Sequence, residues 1–347
     1  MREYVGLCYL LCRILDTIED AGWVNFQDQD RAFLAFDRFI QTADANAEEA
    51  LAIREWARSF PSDVVDSERL LLADAERIFS DFHRLPPGMS STLSRLILSM
   101  SGGMRHYMER KARSGNLVLE GAADVNRYCF FVAGVVGEML AVCRSVFWPR
   151  DVHSQFSRLR DAFRFGLFLQ KVNLLKDQSS DEKQGRFLVP SRASVLKGLL
   201  SDADSAFRFL VGLPEKEVGF RLFCAWSLFL GLASLPWIEK ADLGEVAAKI
   251  PREETLRLLQ EVESRVQDNL ALVQLYESMK PAIGELIQDR PQTRAEVNAP
   301  AAGAPAAGAP AFGAPAFDDA RVQASLLALY QGELPESDVL QLFRAEL

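Results

Sequence analysis

The stretch YLLCRILDTIED, Tyr9 to Asp20, sets three carboxylates into an otherwise almost wholly apolar run. Between Tyr4 and Ile18 the only charged residues are Arg13 and Asp16, while Val5, Leu7, Leu10, Leu11, Ile14, Leu15 and Ile18 would cover most of a helix circumference. That pattern predicts a buried helix. Its polar side chains Tyr9, Arg13, Asp16 and Asp20 recur at i, i+4, i+7 and i+11, which stacks them on one narrow face. The segment AFRFGLFLQKVNLLKDQSSD repeats the device, with Gln170, Asn173, Asp177 and Asp181 at i, i+3, i+7 and i+11. Carboxylates taken out of water cost several kcal/mol each unless they are paired or bound to cations. Two stripes of oxygen donors suit Mg²⁺, which takes a few carboxylates together with water and substrate phosphates rather than an all-protein cage. For a single stripe, an Arg13–Asp16 pair with the remaining acids in water is an equal alternative; two matched stripes favour the metal.

Outward from these helices the chain reads as all-α. Its 347 residues, 49% of them hydrophobic, suffice for a sizeable core. Apolar positions recur at three- and four-residue steps, as in Leu70, Leu71, Ala75 and Ile78, and breakers such as FPSD (60–63), LPPG (85–88), WPRD (148–151), GLPEK (212–216) and IPREE (250–254) separate the helices. A net charge of −9 argues against general affinity for nucleic acid, which is held through Lys and Arg on phosphates. The five cysteines include no C-x-x-C pair and sit among apolar residues, so packed, reduced thiols in a cytoplasmic compartment are expected. Three scattered histidines leave little material for a histidine metal site. The apolar run from Leu222 to Ile238 is read as a buried helix rather than a membrane span, and no signal peptide is predicted. Residues 1–290 form the expected catalytic domain; 291–317, with the repeat APAAG from Ala299, a Pro/Ala spacer; and 318–347 a short helical tail. The tail is expected to dock on its own body, a second subunit or another protein.

Four stretches in order, YLLCRILDTIED (9–20), RYCFFVAGVVG (127–137), GLFLQKVNLLKDQSSD (166–181) and GRFLVP (185–190), resemble the squalene/phytoene synthase family, and FCA (223–225) extends the likeness weakly. The resemblance implies an isoprenoid synthase fold, a single large helical domain around a central cavity, and the head-to-head joining of two prenyl diphosphates. It makes Asp16, Glu19, Asp20, Asp177 and Asp181 Mg²⁺ and diphosphate ligands, Gln170, Asn173 and Arg186 substrate contacts, and Tyr9, Arg13 and Tyr128 catalytic residues. The wording of the second motif is closer to the squalene-forming branch. That branch implies farnesyl diphosphate as substrate, presqualene diphosphate as intermediate and NADPH as hydride donor, with Arg186, Lys249 and Arg252 as contacts for the NADPH phosphate. The alternatives are a relative that stops at presqualene diphosphate, dehydrosqualene or phytoene, and an inactive homologue that acts by binding. Phe130, Phe131, Phe165 and Phe168 are candidates to face a carbocation, although ordinary packing is the better reading for most of them. The first motif starts closer to residue 1 than the family pattern has it, so an N-terminal part of the domain is expected to be missing. Peripheral contact with a membrane for product release is expected, without a transmembrane anchor.

Overall fold

The computed structural model describes residues 2–42, 47–145, 152–242 and 248–287. The spacer at 291–317 and the tail at 318–347 lie outside the described residues. Helices account for nearly all regular structure, as expected from the three- and four-residue periodicity, and the described residues divide into two compact units, one within 2–117 with 135–145 and the other within 118–134 with 152–287.

The first unit holds α1 (Arg2–Asp20), α2 (Phe26–Gln41), α3 (Ala47–Arg58), α4 (Asp66–Ala73), α5 (Ala75–His83), α6 (Pro87–Ser114) and α8 (Val135–Ser145). Local signals start and stop them. Asn25 caps α2 by accepting from the Asp28 N–H at 2.9 Å, and α6 opens on Pro87 and ends at Gly115 in the left-handed region (φ 79°). The core is aromatic. Phe39 meets Trp56 and Phe79 with ring centroids 5.4 Å apart in each case, and Trp56 meets Phe60 at 5.2 Å. Leu11, Ile14, Leu15 and Ile18 of α1 are fully buried.

The second unit holds α7 (Gly121–Cys129), a π-helical turn (Phe130–Gly134), α9 (Val152–Lys183), α10 (Arg192–Leu196), α11 (Leu199–Val211), α12 (Val218–Asp242), α13 (Arg252–Arg265) and α14 (Asn269–Ile287). Val118 ends the short strand β1 (Leu117–Val118), which pairs with β2 (Arg186–Phe187). The long helix α9 crosses the π-helical turn with no room for a side chain: a Cβ on Gly166 would lie 2.0 Å from the Ala133 carbonyl oxygen. Five residues further along α9, Lys171 is wholly buried and donates to Asp202 of α11 at 2.8 Å and to the Lys197 carbonyl at 3.0 Å. Such a pair ties the register of α9 to α11, because either charge alone would be stranded in the core. The apolar run in α12 is half buried (50%), and a second window, 121–144, is 61% buried; length and composition alone would let either cross a membrane.

Candidate functional site

The first acidic motif occupies the last two turns of α1. The helix packs through Cys8, Leu11, Cys12, Ile14, Leu15 and Ile18, and this leaves the polar stripe turned away from the core. The expected buried helix is therefore buried on one side only: Tyr9 is 64% exposed, Asp20 is exposed, and Arg13, Asp16 and Glu19 are half buried. Arg13 reaches Asp16 at 3.5 Å and makes a closer ion pair with Glu68 of α4. Desolvation pushes the Asp16 carboxyl up to about 6; Arg13 opposes the shift, while Asp20 and Glu68 add to it. No basic residue lies in the last turn of α1, where the helix dipole already disfavours negative charge. The exposed carbonyls there are capped from α2 and the intervening loop. The Gln29 amide donates to the Ile18 and Glu19 carbonyls at 2.9 and 3.0 Å, and the Trp23 indole donates to Ile18 at 2.8 Å.

The second motif lies in the last four turns of α9, in the other unit. Gln170 and Asp181 are half buried, and Asn173 and Asp177 are exposed. Lys176 pairs with Asp177 at 3.3 Å and donates to Asn173 at 3.4 Å. After α9 the chain reverses at Gly185, whose φ of 70° suits glycine, and β2 brings Arg186 back against its own motif. The Arg186 guanidinium donates to the Tyr128 phenol oxygen at 3.2 Å and lies 3.6 Å from Asp181. Three residues nominated by three separate stretches of sequence thus meet in one place, with Tyr128 buried at 2% exposure.

The remaining nominees are more dispersed. Lys249 and Arg252 are exposed around Pro251, where α13 begins, and among the described residues neither forms an ion pair. Phe130, Phe165 and Phe168 are core residues; Phe130 packs on Phe131 and Phe163, and Phe165 on Phe209. Among the described residues no three His, Cys, Asp or Glu side chains gather closely enough to hold a metal by themselves. Sequence reasoning missed Glu68, Gln29 and the Lys171–Asp202 pair. Gln29 left a trace: it shares a helix face with Ala32, Phe33, Phe36 and Ile40, so an amide on that face had to find a partner inside.

The profile of the squalene/phytoene synthase family matches residues 1–205. The squalene synthase of Mycosarcoma maydis is 27% identical over 222 residues, which cover 60% of this chain and 36% of that protein. The squalene synthase of Saccharomyces cerevisiae is 31% identical over 193 residues, 55% of this chain and 40% of its own length. The match therefore spans well under half of these relatives. A solved structure of TcSQS with a bound ligand superposes with a TM-score of 0.59 at 21% identity, covering 83% of this chain and 90% of that one, a likeness of fold. The fold is the all-α isoprenoid synthase fold.

Proposed function

The chain belongs to the squalene/phytoene synthase family, a family of prenyl-transferring enzymes, and on that premise we propose that it joins two farnesyl diphosphates head to head into presqualene diphosphate and reduces this to squalene. The observation that supports the reading best is the contact of Tyr128, Arg186 and Asp181, because it combines a phenol, a cation and a carboxylate in one place.

Loss of diphosphate from an allylic carbon requires that its negative charge be neutralised as the bond breaks. Arg13 in the first unit and Arg186 in the second are each a cation already held by a carboxylate that a diphosphate can replace. The acidic residues fit Mg²⁺ as partial ligands: Asp16 with Asp20, and Asp177 with Asp181, each pair sit one turn apart, and desolvated Asp16 is a carboxylate whose charge Arg13 compensates only in part. Glu19 is the further candidate donor of the first motif. When bound, Mg²⁺ would neutralise the leaving diphosphate. Closing the cyclopropyl ring releases a proton, and the Tyr128 phenol, gripped by Arg186 and charge-balanced by Asp181, is the group proposed to hold and pass it. Gln170 and Asn173 orient the diphosphate from the same face of α9, and Tyr9 lies one turn ahead of Arg13 on α1.

NADPH is the proposed hydride donor, with Arg186, Lys249 and Arg252 as contacts for its phosphate. Lys249 and Arg252 lie beyond residue 205, where the family match ends. This favours a second reading, an enzyme of the same family that stops at presqualene diphosphate or an unreduced product. We place the protein in the cytoplasm and at a membrane surface into which an apolar product can leave. Incubation with farnesyl diphosphate and Mg²⁺, with and without NADPH, followed by mass spectrometry of the products, separates the readings. Squalene formed only with NADPH supports the first, and presqualene diphosphate in both arms the second. Turnover unchanged by Asp16→Ala or Asp177→Ala would remove the metal assignment.

A further inference from the structure

Helices α1 and α8 of the first unit bring sulfur to sulfur twice. The Sγ atoms of Cys8 and Cys143 are 3.7 Å apart, and one turn along, Cys12 Sγ lies 3.8 Å from Met139 Sδ. A step of four residues forward on α1 matches four residues backward on α8, so the helices pass in opposite senses with a ladder of sulfur between them. All four side chains are buried. Only one rung holds two thiols, since a thioether cannot be bridged. The remaining cysteines, Cys129 and Cys224, are buried in the second unit.

We propose that Cys8 and Cys143 form a site of reversible disulfide formation, oxidised by exchange with a small-molecule disulfide of the glutathione type. The thiolate of Cys143 attacks one sulfur of that disulfide and releases the other, which takes up a proton as the first thiol. Cys8 loses its proton, attacks the Cys143 sulfur of the mixed disulfide and displaces the second thiol. Two protein thiols lose two electrons in total, and one external disulfide gains them. The hydrogen bond between the pair supports Cys143 as the attacking group, because it holds that thiol below its ordinary range against the effect of burial and, together with burial, pushes Cys8 up. Bridging asks the sulfurs to close from contact to a bond of about 2.0 Å. The route of entry is local opening of α1, whose residues Tyr4 to Leu7, immediately ahead of Cys8, are only half buried.

The test is native oxidation of the full chain with oxidised glutathione, alkylation of the remaining thiols, and peptide mapping without reduction. The expected result is a peptide pair joined through Cys8 and Cys143, loss of two of the five free thiols, and reversal by dithiothreitol. Cys8→Ser abolishes the link and Cys12→Ser leaves it; should a variant fail to fold, the map of the unaltered chain decides. Five thiols persisting under native oxidation, or other cysteine pairs linked in equal yield, overturn the proposal.

Discussion

At the scale of single residues, Asp16 is where stability and the proposed chemistry pull apart. Its value in the folded chain, about 6, exceeds the ordinary 3.8. Between those two pH values the folded chain keeps a proton that the unfolded chain has released, so this group makes stability fall as pH rises through the window. Asp16→Asn is expected to leave Tm nearly unchanged at about pH 4 and to raise it at pH 7 relative to the parent. Thermal scans of the two proteins across that range check the difference. Asp37, also pushed up to about 6 by burial, acts in both proteins and cancels. Added Mg²⁺ is expected to raise Tm more in the parent than in Asp16→Asn, which keeps Asp177 and Asp181. At the second motif, Arg186→Lys keeps the charge but not the planar fork that reaches Tyr128 and Asp181 together. Turnover of farnesyl diphosphate is expected to drop about 100-fold or more while thermal stability holds, as steady-state kinetics beside a melting curve will show.

At the scale of elements, the acidic stripes could be seen in the sequence because a helix places i, i+4, i+7 and i+11 on one face whatever surrounds it. Which way the stripe turned could not be seen. Apolar residues cover α1 so broadly that periodicity alone left its core-facing side undefined, and the packing through Leu11, Ile14, Leu15 and Ile18 decided it. The partners of the motifs were hidden for a related reason. Glu68 lies 55 residues from Arg13, and nothing in DSERLLLA distinguishes it from any acid in a first helical turn. The return of Arg186 to Tyr128 depends on one glycine turn after α9, and the spacing of the motifs does not encode it. Gln29 acts on α1 from outside, closing two carbonyls that would otherwise face the acids of the same turn. Gln29→Met retains the volume and removes the donor; urea unfolding is expected to show a loss of about 1–3 kcal/mol.

At the scale of the whole molecule, the second unit is pinned by a buried cation. Arg221 of α12 is fully buried and donates to the Val266 carbonyl at 2.7 Å, to the Leu210 and Leu213 carbonyls, and to Asn269 at 2.6 Å. The ends of α11 and α13 and the start of α14 thus converge on one guanidinium. Arg221→Met strands several acceptors at once, and a loss of about 3 kcal/mol or more is expected from urea titration followed by circular dichroism. The division of the chain is as telling as its contents. Neither unit is one continuous stretch: the first closes only when α8 (Val135–Ser145) returns to it, after the chain has already supplied the opening of the second. Met139 and Cys143 follow the α1 residues they touch by 127 and 135 positions. At about 5–20 residues per second, a ribosome delivers α8 roughly 7–27 s after α1. Throughout that interval the Cys8 and Cys12 side of α1 is in the nascent chain without its α8 partner, a side that a chaperone can cover during synthesis.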